Sequence, residues 1–174
     1  MNEWSDPAPT LPPPNYPALK TGDRLPEFDL LDSHDTLTNL DCWSGQALLL
    51  CFYANDAISY NYTMARLLQD ALPRLHDAGL TVVSISTDEP VRRQAFAAEH
   101  GITYPLLTDS DLWVCQQYGV CASTVHQGFP VTTVQPALVA SDTHHQVVQT
   151  WLRLSNIPET VPGIIETLCT PQTP

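Results

Sequence analysis

One feature constrains this chain more than any other: two runs of strand length that are apolar almost throughout, Ala47-Leu-Leu-Leu-Cys-Phe-Tyr53 and Leu80-Thr-Val-Val-Ser-Ile-Ser86. A strand with one face in water alternates apolar and polar residues. A run that is apolar at nearly every position must be covered on both faces, as at the centre of an α/β sheet. Between the two runs, Met64, Leu67, Leu68, Ala71, Leu72 and Leu75 recur at helical spacing, and Gly79 ends the pattern. Strand, helix, strand predicts parallel pairing of two adjacent central strands. Pro73 falls inside the helical stretch of residues 60–78 and is expected to kink it by removing the bond to the carbonyl of Gln69.

The flanking segments extend this plan. Phe28 to Asp32 and Leu37 to Leu40 surround a polar turn and read as a hairpin with His34 at its tip. Thr87 or Asp88 is expected to cap a helix that carries Pro90 in its first turn and stops at Gly101. A short strand at Tyr104 to Leu107 and a helix from Ser110 to Tyr118 follow. Residues 119–133 read as irregular. Pro136 to Ala140 and Gln146 to Leu152 form a late hairpin, and a last helix runs from Glu159 to Leu168. Strands alternating with helices, then an antiparallel pair, predict a mixed central sheet with helices on both faces. Residues 1–19, with six prolines, read as a tail or arm, residues 20–170 as one globular domain, and 171–174 as a short tail.

Charge narrows the function. Seven Lys and Arg against 19 Asp and Glu leave a net charge of −12. Phosphate backbones and anionic membranes need cations, so neither nucleic acid nor a membrane surface is expected as a partner. No apolar run approaches the length of a membrane span. The acidic, proline-rich start is unlike a secretory signal, and five cysteines without a CxxC pair are unlike a disulfide framework. A cytoplasmic location with reduced thiols is expected. His144-His145 beside Asp142 sit on a turn and read as a solvated loop, so no metal is expected. With no phosphate loop or nucleophile elbow, no cofactor is expected either.

Several segments, in order along the chain, resemble the alkyl hydroperoxide reductase and thiol-specific antioxidant group of peroxiredoxins. They are Gly22-Asp-Arg-Leu-Pro-Glu-Phe-Asp-Leu30, Leu37 to Gln46, Val83-Ser-Ile-Ser-Thr-Asp88, Phe96, Tyr104-Pro-Leu-Leu-Thr-Asp109 and Gln117-Tyr-Gly-Val120. The resemblance implies an α/β thioredoxin-like fold of the peroxiredoxin type. It also implies a thiolate in the first turn of the helix after the central strand, supported by the helix N-terminus, a Thr hydroxyl and an Arg from the late strand. Laid on the P-x-x-x-T-x-x-C motif that the family carries directly after the central strand, the Pro position holds Ala54, the Thr position Ile58 and the Cys position Asn61, and the Arg position before the late strand holds Gln135.

With those four residues in place, ordinary thiol peroxidase activity is not expected. The expectation is a non-peroxidatic binding or assembly protein, a homodimer with a remodelled pocket for a protein partner or a small polar ligand. Asn55, Asp56, Ser59, Tyr60, Asn61, Tyr62, Gln135 and Pro136 are expected to converge there. The alternative is an enzyme, either an oxidoreductase acting through a displaced cysteine or new cofactor-free chemistry in the old pocket. Cys42, Cys115 and Cys121 are the candidate redox thiols. Cys51 reads as a buried hydrophobe, and Trp113 and Trp151 as side chains that a dimer interface buries.

Overall fold

The two apolar runs do form the centre of the molecule. In the computed structural model, which describes residues 17–56 and 58–171, they become strands β3 (Ala47–Phe52) and β4 (Leu80–Ser86). These pair in parallel from Ala47↔Leu80 to Phe52↔Ile85. Around them lie β1 (Asp29–Asp32), β2 (Leu37–Asn39), β5 (Leu106–Thr108), β8 (Ala137–Ser141) and β9 (Val147–Trp151). The sheet has seven strands in the order β2-β1-β5-β4-β3-β8-β9. β5 runs parallel to β4, while β8 is antiparallel to β3, so the sheet is mixed.

Each face of the sheet carries its own core. Leu49, Cys51 and Tyr53 point to one side, under helices α1 (Ser59–Asp70), α2 (Leu72–Asp77), α3 (Pro90–His100) and α5 (Ile157–Cys169). Leu48, Leu50 and Phe52 point to the other, under helix α4 (Trp113–Gln117), the 3-10 turn Leu40–Trp43 and the N-terminal residues Leu25 and Phe28. Residues 48–53 are completely buried. At roughly 1.5–3 kcal/mol for each large apolar side chain, this strand holds the two cores together.

The structure corrects several local expectations. The stretch of residues 60–78 is two helices, broken at Ala71. Pro73 sits in the first turn of α2, where its missing N–H costs no helical bond. Glu89, not Thr87 or Asp88, is the N-cap residue of α3, and it caps through no side-chain bond. The Thr87 hydroxyl instead donates to the carbonyl of Ala54, and an Asp88 carboxylate oxygen accepts the Asp56 N–H at 2.5 Å. Residues 119–133 are mostly ordered strand: β6 (Cys121–His126) and β7 (Phe129–Val134) form a separate antiparallel ribbon. Its turn, Gln127-Gly128, has φ of 51° and 84°, the left-handed pair that a two-residue hairpin requires. The expected N-terminal arm lies largely outside the described residues. Of the two tryptophans expected at a dimer interface, Trp151 is partly buried against the helical core and Trp113 is exposed, and a single chain leaves that expectation as it stood. His145 is buried and bonds through its ring to the Trp43 carbonyl at 3.1 Å, so it is a structural residue and not part of a solvated loop.

Gly119 joins α4 to the ribbon at φ 68°, and a Cβ there would lie 2.6 Å from the Cα of Ala18. Both the left-handed backbone and the backbone contact exclude a side chain. Gly119→Ala should therefore lower stability by more than the ~1 kcal/mol that the same exchange gains at a compatible site. Urea unfolding measures it, and an unchanged midpoint would mean that the Pro17–Ala18 segment does not pack there.

Candidate functional site

The C-terminal ends of β3 and β4 are where this sheet can present chemistry, because the strands stop there and the chain turns into α1 and α3. The loop after β3 leads to Asn61, which lies in the first turn of α1 and is fully buried. Its amide donates to the Asn55 carbonyl at 2.7 Å, while its side-chain oxygen is buried without a partner. Ile58 is the N-cap residue of α1, and a side chain without a polar atom leaves the first N–H groups uncapped.

Beneath this turn is a charged group that sequence reasoning missed. Arg93, in the first turn of α3, has no exposed surface at all. One of its terminal nitrogens donates to the Ser86 hydroxyl and the other to the Ser84 hydroxyl at 2.9 Å. Its guanidinium carbon stands 5.6 Å from the centre of the Tyr53 ring, within cation–π range. Asp56 supplies the opposite charge, with its Oδ1 3.9 Å from Arg93 and accepting the Tyr53 hydroxyl at 2.8 Å. Arg93 Nε and Asp56 Oδ2 are buried without partners. Burial raises the Asp56 carboxyl above its ordinary pKa, against the pull of Arg93 and of the Tyr53 bond. The same desolvation raises Tyr53. One signal for this arginine was available: Arg93 sits three residues before Phe96, on the apolar stripe of α3.

The expected pocket divides. Asp56 and Asn61 join the buried polar group. Ser59 is exposed, and its carbonyl accepts the Thr63 hydroxyl. Tyr60 lies in the first turn of α1. Tyr62 turns away, meeting Phe96 of α3 edge to face and His100 at a tilt. Asn55 contributes its carbonyl to Asn61. The β3–β8 register brings Gln135 and Pro136 to the same end of the sheet, and they line a separate groove of about 270 Å³ with Arg153 and Leu154. Arg153, at φ 54°, thus places a cation beside Gln135 from the turn after β9. Ala54 ties this end to β4 through the bond from Thr87.

The cysteines are dispersed. Cys51 and Cys115 are buried, and desolvation pushes both thiols far up. Cys121 is half-buried and pushed up to about 11, by desolvation and then by Asp109. Cys42 is exposed, with its sulfur 3.8 Å from the Asn39 side-chain oxygen. Cys169, partly buried at the end of α5, shares a groove of about 530 Å³ with Arg74, Asp77 and Thr170. No group of three candidate metal ligands occurs among the described residues, and no helix among them is long and apolar enough to cross a membrane.

The AhpC/TSA family matches residues 21–150. Peroxiredoxin Bcp of Escherichia coli (strain K12) is 31% identical over 150 residues, covering 78% of this chain and 96% of that protein. A relative from Haemophilus influenzae named a putative peroxiredoxin is 31% identical over 102 residues, covering 59% of this chain and 66% of its own. Among solved structures, a PrxQ mutant from Xylella fastidiosa superposes with a TM-score of 0.79 at 24% identity, over 87% of this chain and 96% of that one. The bacterioferritin comigratory protein of Xanthomonas campestris gives 0.75 at 24% identity, over 81% and 89%. These two similarities carry the fold. The relatives correct the expectation of a non-peroxidatic binding or assembly protein: the protein matched over 96% of its own length and 78% of this chain is named a peroxiredoxin.

The buried pair makes a sharp prediction. Arg93→Ala leaves a buried carboxyl without its counter-charge, and the expected loss is about 3–5 kcal/mol of stability. The loss should be larger near neutrality than in acid. Asp56 is held above its ordinary pKa, so its uncompensated carboxylate disappears on protonation as the pH falls through that raised value. Equal losses at both pH values in urea unfolding would show that Asp56 is not the partner.

Proposed function

The chain belongs to the AhpC/TSA family, and from that premise we propose that it is a thiol-dependent oxidoreductase that reduces hydroperoxides through a displaced cysteine. The similarity to peroxiredoxin Bcp over 150 residues carries the reading. The first turn of α1 holds Asn61, which has no sulfur, so the thiol must come from elsewhere.

Charge selects it, because Cys121 and Cys169 are equally half-buried. A reactive thiol needs exposure and a nearby cation. Cys51, Cys115 and Cys121 are buried or half-buried and raised. Cys42 is exposed but follows Asp41. Cys169 lines an open groove together with Arg74, the cation nearest to hand for a thiol there. Glu166 holds Arg74 in place at 2.7 Å.

The chemistry balances with an external reductant. The Cys169 thiolate attacks the terminal peroxide oxygen, an S–O bond forms, the O–O bond breaks, and the alkoxide takes a proton from water. Sulfur is oxidised to a sulfenic acid by two electrons. One small-molecule thiol displaces water to give a mixed disulfide, and a second restores the thiol and leaves as the external disulfide. A reducing compartment such as the cytoplasm supplies those thiols, in keeping with five free cysteines.

Sulfenic-acid trapping after stoichiometric hydrogen peroxide, read by peptide mass, tests the assignment. Label should appear on Cys169. Cys169→Ser should lose at least about tenfold in peroxide consumption, the loss expected when a nucleophile is removed, while Cys42→Ser stays near wild type. Consumption unchanged in Cys169→Ser would reject Cys169, and label on Cys42 would move the reaction there.

A further inference from the structure

From Leu112 to Ser141 the chain contains no Asp, Glu, Lys or Arg, although its net charge is −12. This is the longest uncharged stretch in the sequence, and its middle is the β6–β7 ribbon. The ribbon belongs to no larger sheet, so among the described residues no third strand pairs with either strand. Its distal part is apolar and uncovered: Val125 is 74% exposed, Phe129 72% and Val131 42%. In the observed register, Val125 stands opposite Pro130 on one face, while Phe129 and Val131 lie on the other. Both faces therefore carry apolar side chains, whereas the base is anchored by Val134 and Val120 in the core. A two-stranded ribbon with open edges is marginal by itself and invites another strand.

We propose that this ribbon is a self-association surface whose occupant is the ribbon of a second copy, paired about a two-fold axis. Charge selects the partner. Two copies at −12 each repel wherever their acidic surfaces meet, and the uncharged ribbon is the place where like surfaces can touch without that cost. An isologous contact is self-complementary by symmetry, and edge pairing turns two strands into four. The chain's own residues 1–16 are the competing occupant, because Pro17 and Ala18 pack at Gly119, at the foot of the ribbon. Their prolines lack the N–H groups that a strand ladder needs. Six-residue strands span only about 20 Å. The buried area therefore falls below the roughly 800 Å² per partner of a standard interface, and the dimer should be weak and concentration-dependent.

Sedimentation of the full chain, from about 10 to 300 μM and at low and high salt, tests this inference in the range expected of weak interfaces. The expected result is a monomer–dimer equilibrium that strengthens with salt, as screening relieves the repulsion. Phe129→Asp and Val125→Asp, both at exposed positions, should weaken it at least about tenfold with unchanged unfolding midpoints, as loss of central apolar anchors does. Val148→Asp, on the open edge of β9, should leave it unchanged. A monomer under every condition overturns the inference, as does a dimer that survives the ribbon variants or is lost only with Val148→Asp. A wild-type monomer that dimerises only after removal of residues 1–16 would assign the ribbon to the chain's own terminus and overturn it too. None of these readouts depends on peroxide chemistry.

Discussion

The parallel pairing of β3 with β4, buried on both faces, is the constraint from which the other features follow. Because every residue from Leu48 to Tyr53 is out of water, the strand requires a helical layer on one side and a second cover on the other. Its backbone groups must be met by neighbouring strands along its whole length, which places β8 against its far edge. Polar chemistry is then possible only where the strands end. The loops after β3 and β4 meet at that end, and their own polar residues tie them together.

Those ties explain why Thr87 and Asp88 do not cap α3. A side chain that can cap a helix can equally satisfy an orphan backbone group across a gap, and here the loop after β3 competes successfully. The Asp56 N–H would otherwise lie near the core without a partner, and the Ala54 carbonyl takes the Thr87 hydroxyl in addition to the Thr87 N–H. Arg93 completes the arrangement from below, donating to Ser84 and Ser86 of β4 and facing Asp56 of the loop. A buried ion pair of this kind adds little net stability against an apolar alternative, but it is costly to break by removing one partner. It holds the geometry of the α1 entrance, where family resemblance locates the chemistry, and the thiol proposed for that chemistry lies at the far end of α5.

Charge is distributed as unevenly as polarity. Acidic residues outnumber basic ones over the chain as a whole, while the ribbon, helix α4 before it and strand β8 after it carry no formal charge. The ribbon's tight turn follows from Gln127 and Gly128 in left-handed conformations, and its base is held by core contacts of Val120 and Val134. Exposure of Val125 and Phe129 is then a matter of reach: the ribbon extends past the body that could have covered them.

Local sequence determined the elements whose burial leaves a periodic signature. The two central strands, their parallel order, the helices after them, Gly101 as a helix stop and the late hairpin were all legible, because apolar spacing reports directly which faces leave water. The absence of sulfur at Asn61 was legible too. The division of the expected pocket was decided by tertiary structure, since Tyr62 could turn to Phe96 only once α3 lay beside α1. Arg93 was hidden for the same reason: an arginine on an apolar stripe conflicts with burial until Ser84, Ser86, Asp56 and the Tyr53 ring surround it. The groove that Cys169 and Arg74 share, though they are far apart along the chain, likewise exists only through the packing of α5 on α2. Periodicity records how a segment partitions between water and core, whereas a site depends on which distant segments meet, and that is set by packing.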